Sequence, residues 1–197
     1  MAAYRFLLSV LVSISAAFTS NALAQDLNAP LVLVAQRKME GEFFGSTVLI
    51  TKPMGNGRHV GFIVNRPTQF TLGNLFPAHP ASQKVPDPVF LGGPLNTQFV
   101  FALVNRPENP GGRSMQLAPE LYVVMDSATV DHIIETDTSH ARFVAGLVAW
   151  DAGELEDELK RGLWHVHDAD AKVLMEERVE GMWEKMVLSS ERRKNGI

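Results

Sequence analysis

Four short stretches hold the residues whose types and spacing could do chemistry: Asn65-Arg66-Pro67, Gly92-Gly93-Pro94, Trp150 with the acidic segment Glu154 to Glu158, and His165-x-His167-Asp168-x-Asp170. Pro67 ends a strand on a ring without an N–H, so Asn65 and Arg66 are presented at a sheet margin. The arginine fork suits a carboxylate or phosphate ligand. It suits equally an internal pair with the helix that carries Glu154, Glu156 and Glu158, and that pairing is the simpler reading. Gly92-Gly93 permits close backbone approach and a sharp strand exit, and exposed amides there could hold an anion. The segment lacks the lysine and the spacing of a phosphate-binding loop, which favours a structural turn. Trp150, Glu156 and Glu158 complete the binding candidates, although carboxylates on one exposed helix face are by default solvated charge. Asn105-Arg106-Pro107 repeats the first tripeptide with flanks that do not align with it.

His165 and His167 would point to one face of a strand, close enough to share an ion. Asp168 points to the opposite face by alternation, and Asp168 or Asp170 serves more simply as the cap of a following helix. The two histidines are the weak metal candidates; no metal and no cofactor is assigned. No Gly-x-Ser-x-Gly elbow exists, and Ser46 and Ser114 have no evident histidine partner. No catalytic residue is named. An enzymatic alternative, hydrolase-like, would have to use the Asn65, Arg66 and Gly92-Gly93 margin.

The elements that must position these groups are legible from pattern. Leu31 to Ala35 and Thr47 to Thr51 read as buried strands. Pro53-Met-Gly-Asn-Gly57 is a turn, and Val60 to Val64 completes a hairpin. Leu72 to Phe76 allows one helical turn. The four prolines from Pro77 to Pro88 mark a surface loop, as do residues 105 to 114. Val89 to Leu91, Phe99 to Val104, Leu121 to Met125 and Phe143 to Trp150 are further strands. Ser127 to Glu135 is a helix with Ser127 as its cap, and Asp151 caps another with Glu154 reaching back. Met175, Val179, Met182 and Met186 would share one stripe of a core-facing helix. Ser189 to Ile197 is a polar tail expected to fray. Strands, hairpins and interspersed helices indicate an α+β domain.

In this order, Gly61-Phe-Ile-Val-Asn-Arg-Pro67, Phe90-Leu-Gly-Gly-Pro94 and Gly146-x-x-x-Trp150-x-x-Gly153-x-Leu155-Glu156-x-Glu158-Leu159 resemble the AlgH/YqgE-like family of small bacterial proteins. The likeness runs from Leu31 to about Val187. Gln36 stands where a proline is common, and Glu154 replaces a usual glutamine. The resemblance implies a strongly bent mixed sheet, mainly antiparallel, forming a partial barrel with helices outside. It implies no established activity, and a link to regulation only through the family name.

The ends and the composition bound the setting. Arg5, the apolar run from Phe6 to Phe18 and the Ala22-Leu23-Ala24 site read as an export signal, residues 1–24, cleaved after Ala24. The run is shorter than the roughly 20 residues that span a bilayer, so no stable membrane insertion is expected after cleavage. The expected compartment is the periplasm, with one domain over 25–188 and the tail over 189–197. No cysteine is present, which excludes disulfides, thiolate metal sites and a lipid-bearing cysteine anchor. Loss of Arg5 moves the formal charge from −4 to −5. No basic stripe survives, so nucleic acid is not an expected partner. The partner is an unknown protein or small ligand. The leading reading is therefore a non-catalytic, exported binding or regulatory protein; a metal-binding periplasmic protein is the further alternative.

Overall fold

The structure is a computed structural model that describes residues 26–194 and 196. The expected leader lies outside the described residues. In β1 (Leu31–Ala35) every residue is buried, which is why the run shows no alternation. β2 (Val48–Gly55) and β3 (Arg58–Ile63) form the expected hairpin, closed by Asn56 and Gly57 at φ of 52° and 71°. Both central residues at positive φ match the right-handed twist of the flanking strands. β4 (Pro67–Thr71) leads into α1 (Leu72–Leu75), where Thr71 and Asn74 exchange capping bonds. There follow β5 (Pro88–Leu91), β6 (Leu95–Asn105), β7 (Ser114–Ala118), β8 (Leu121–Val124) and α2 (Ser127–Thr136). The chain closes with β9 (Ala141–Trp150), α3 (Glu154–Lys160), β10 (Trp164–Asp168), α4 (Ala171–Leu174) and α5 (Met182–Lys194).

Neighbouring strands run antiparallel in the order β10-β1-β2-β3-β9-β6-β8-β7. β5 runs parallel to β9 and carries β4 on its other side. This sheet curls into a half-barrel with a few helices, an α+β fold as expected. Alternation along β6 and β9 feeds two clusters. Phe101, Leu103 and Val144 enter the main core with β1 to β3 and α5, whereas Ala102, Val104 and Phe143 enter a smaller one under α1 and α2. Among the described residues no helix is long and apolar enough to cross a membrane.

Several local expectations are corrected. β4 and β7 were not foreseen: each is a short sheet-edge strand, and β4 opens on a proline that only an edge tolerates. The cap of α2 is Asp126, whose side chain accepts from the Thr129 amide, not Ser127. The cap of α3 is Gly153 at φ 87°, not Asp151; Glu154 nonetheless accepts from the Asp151 amide at 2.7 Å. The methionine stripe is no single helix. Met175 ends α4, Val179 lies in the connection, and α5 starts after Gly181 at φ 72°. All four residues still meet the main core. The tail does not begin at Ser189, because α5 continues to Lys194 and buries Ser190.

Candidate functional site

Asn65 is committed to the scaffold. Its Oδ1 accepts from the Val48 amide at 2.8 Å and its Nδ2 donates to the Ser46 carbonyl at 3.0 Å, prolonging the β2–β3 ladder by a side chain. Arg66 does not pair with the acidic helix. Its Nη2 donates to the Gly45 carbonyl at 3.1 Å, and its guanidinium lies 5.2 Å from the centre of the Phe43 ring. Partial burial lowers its pKa. The expected ion pair fails because Asn65-Arg66 exits the sheet beside the loop preceding β2, while α3 starts from Gly153 beside the Gly57 turn at the other end of β3.

Gly92-Gly93 is a backbone crossing. Along one edge of β9 the partner changes from β3 at Val148 to β5 at Ala145. At that changeover the Gly92 amide donates to Ala145 and the Gly92 carbonyl accepts from Ile63. A Cβ on Gly93 would stand 2.2 Å from the Leu147 carbonyl carbon, and one on Gly92 would stand 2.4 Å from the Gly146 oxygen. Both glycines are buried, so the Gly92 amide is already used within the sheet and is not open to an anion. The hydrolase-like margin thereby loses Asn65 and Gly92 to structural bonds.

Trp150 and Glu158 do come together, with a partner the sequence did not reveal. Glu158 Oε2 accepts from Trp150 Nε1 at 3.0 Å and from Trp164 Nε1 at 2.8 Å. Trp150 also covers Gly61, where a Cβ would stand 2.8 Å from the ring. Glu156 points away to solvent and pairs with Lys160 at 2.8 Å, which holds its carboxyl below the usual range. Beside Glu158 opens a groove of about 690 Å³ lined by Lys38, Phe43, Phe44 and Arg161 among others. Phe43 is 46% exposed there, and Phe44 stands edge-on to Trp164. Arg66, Gly93 and Trp150 line neither this groove nor the cleft described below.

His165 and His167 share a face of β10, as alternation requires, and that face is covered by α5. His167 Nε2 lies 2.7 Å from Ser190 Oγ, and Arg193 Nη2 lies 2.8 Å from His167 Nδ1. The arginine can only donate, so Nδ1 is the acceptor and Nε2 carries the proton. Ser190 in turn donates to the Met186 carbonyl. The pair is thus a hydrogen-bonded staple rather than a base poised on a nucleophile, with a cation where a hydrolytic triad has a carboxylate. Burial, then Arg193 and His165, push the His167 pKa down to about 4, and burial lowers that of His165. Both nitrogens of His167 are engaged, and Asp170 caps α4 by accepting from the Lys172 amide. Among the described residues no group of three or more His, Cys, Asp and Glu is placed to hold a metal ion.

Sequence reasoning passed over Arg142. This arginine on β9 is 7% exposed and has no carboxylate partner among the described residues. It donates to the carbonyls of Val64 (2.9 Å), Leu174 (2.7 Å) and Glu176 (2.5 Å), and stands 4.6 Å from the Phe90 ring centre. Desolvation lowers its pKa to about 10, so it remains charged at neutral pH. Arg142 lines a cleft of about 550 Å³ bounded by Phe90, Phe143, Asp87, Glu177 and Glu180 among others. The one available signal was a charge directly abutting the apolar run from Phe143 to Trp150, one position before its start.

Comparison with known proteins places this architecture. Residues 32–193 match a family described as AlgH-like. A UPF0301 protein of Chlorobium phaeobacteroides is 29% identical over 84% of this chain and 88% of its own length. One from Chlorobium luteolum is 31% identical over 83% and 86%. Two solved structures, each 24% identical, share the fold. The solution structure of the AlgH protein from Pseudomonas aeruginosa has a TM-score of 0.65, covering 85% of this chain and 88% of that one. A crystal structure from Corynebacterium diphtheriae has a TM-score of 0.68, covering 86% and 88%.

Proposed function

This chain belongs to the AlgH-like family, and for this member we propose an exported, non-catalytic protein that binds a small ligand in the Arg142 cleft. One observation carries the reading. A guanidinium buried away from water, held only by neutral carbonyls, lines a concavity of about 550 Å³, within the size range of small-molecule sites. Burying an unpaired charge is costly, and a charged group at a buried, concave site is where ligand recognition is expected. The groups nominated for catalysis by the alternative reading are engaged in structural bonds instead. Occupancy of the cleft is the natural signal for any regulatory role.

Export is supported by Arg5, the apolar run from Phe6 to Phe18 and the Ala22-x-Ala24 site. Native mass spectrometry of protein from its host tests both halves of the proposal. The expected polypeptide begins at Gln25 and carries a small-molecule adduct. The adduct should vanish in Ser139→Trp, which fills the cleft from its exposed rim without disturbing the core. Full-length protein in the cytosol would sink export; an adduct unaffected by Ser139→Trp would sink the cleft.

A second reading, a protein partner seated along the Phe43 groove, is favoured by the exposure of Phe43. Loss of a stoichiometric partner on Phe43→Ala, with Ser139→Trp silent, would put that reading first.

A further inference from the structure

Resting on the assignment of the Arg142 cleft as the binding site, we propose that its ligand is a small zwitterion of the amino-acid type with an apolar body. The floor and the rim of the cleft carry opposite charges. On the floor, Arg142 lies 4.6 Å from the centre of the buried Phe90 ring, with Met175 and Val179 also lining the cleft. Guanidinium offers five N–H donors, and three are used on backbone carbonyls. Two donors remain, enough for a carboxylate. At the rim stand Asp87, Glu177 and Glu180, all exposed and none in an ion pair among the described residues.

Each simpler ligand meets an opposing charge. A plain carboxylate has to enter a cleft lined by three unpaired carboxylates, whose repulsion offsets part of what Arg142 supplies. A plain ammonium reaches the rim but has a buried cation beneath it. An uncharged apolar molecule leaves Arg142 uncompensated. A molecule with a carboxylate at one end and an ammonium at the other answers the floor and the rim together, and its apolar side chain lies against Phe90 and Met175. Charge-assisted bonds at both ends set its orientation as well as its affinity.

Titration calorimetry of the purified protein with L-leucine and L-leucyl-L-leucine tests this, with N-acetyl-L-leucine and L-leucinamide as comparators. At least one zwitterion should bind with Kd below about 1 mM. Capping either end should weaken binding at least roughly tenfold, the loss of one charge-assisted bond. Arg142→Gln should abolish binding. Because Arg142 also ties the segment after α4 to the sheet, that variant risks unfolding. The double variant Glu177→Gln/Glu180→Gln changes only exposed side chains and decides the matter independently. It should weaken the zwitterions and leave N-acetyl-L-leucine unaffected or improved. Equal binding of capped and free forms, or a double variant indistinguishable from the parent, overturns the zwitterion. If an adduct of another charge type occupies the cleft and is lost in Ser139→Trp, the zwitterion falls and the cleft stands. If neither zwitterion nor any adduct binds, both fall.

Discussion

The indole nitrogen of Trp150 donates to Glu158 Oε2 at 3.0 Å, and the same oxygen accepts from Trp164 at 2.8 Å. One carboxylate of an outwardly acidic helix is therefore the acceptor that lets two buried tryptophans keep their N–H groups satisfied. Glu158→Ala should cost about 3 kcal/mol, because two buried donors lose their acceptor. Glu158→Gln, which keeps one carbonyl oxygen, should cost about 1 kcal/mol. Urea unfolding followed by tryptophan fluorescence measures both. Equal losses for the two variants would contradict the acceptor role.

Gly93 and Gly153 should respond very differently to the same methyl group. At Gly93 the new Cβ meets the Leu147 backbone at 2.2 Å, so strands must separate. Gly93→Ala should lose about 4 kcal/mol or yield no folded protein. Gly153 has φ 87° with open space around the added atom, so only backbone strain of about 1 kcal/mol is expected for Gly153→Ala. Thermal denaturation of the pair is sufficient, and comparable melting temperatures would refute the crossing.

His167 ties stability to pH. Its folded pKa, about 4, lies below the ordinary 6.5, through burial first and the Arg193 charge next. Between those values the unfolded chain binds a proton that the folded chain does not. Stability from this group is therefore fully present above pH 6.5 and is lost as pH falls toward 4. The expected loss is about 2 kcal/mol after allowance for partial exposure. His167→Gln should flatten the urea midpoint over that window relative to the parent; an unchanged slope would count against the staple.

Asn65 should matter more to folding than its charged neighbour. Asn65→Ala removes two bonds to the β2 approach and should cost about 2 kcal/mol. Arg66→Ala removes one bond and a contact with an exposed ring, and should cost about 1 kcal/mol. A buried ion pair broken at Arg66 would instead cost about 3 kcal/mol or more. Chemical denaturation curves that reverse this order would restore the pairing with the acidic helix.

Much of the scaffold was legible because its signals are local. The unalternated run at Leu31 to Ala35 dictates a strand buried on both faces. Asn56-Gly57 dictates a tight hairpin, and the residues around Gly61, Gly92-Gly93 and Gly146 mark where main chains or a ring must come close. β4 and β7 were missed because short edge strands, paired on one side only, need little hydrophobic patterning. The methionine stripe fits one helix by spacing, yet Gly181 breaks it. Its residues reach the core from two helices and the connection between them.

By itself the sequence determined the family pattern and the longer, strongly patterned strands and helices, because periodicity and backbone restriction act over a few residues. Only the tertiary structure decided partners. Arg142 bonds to Val64, 78 positions away, and Trp183 to Ala35, 148 away. A donor takes whichever acceptor the curled sheet brings within about 3 Å, and no local spacing encodes that proximity. The same fact moved the strongest candidate site from Asn65-Arg66, which the sequence displays, to Arg142, which the folded sheet buries on the floor of a cleft.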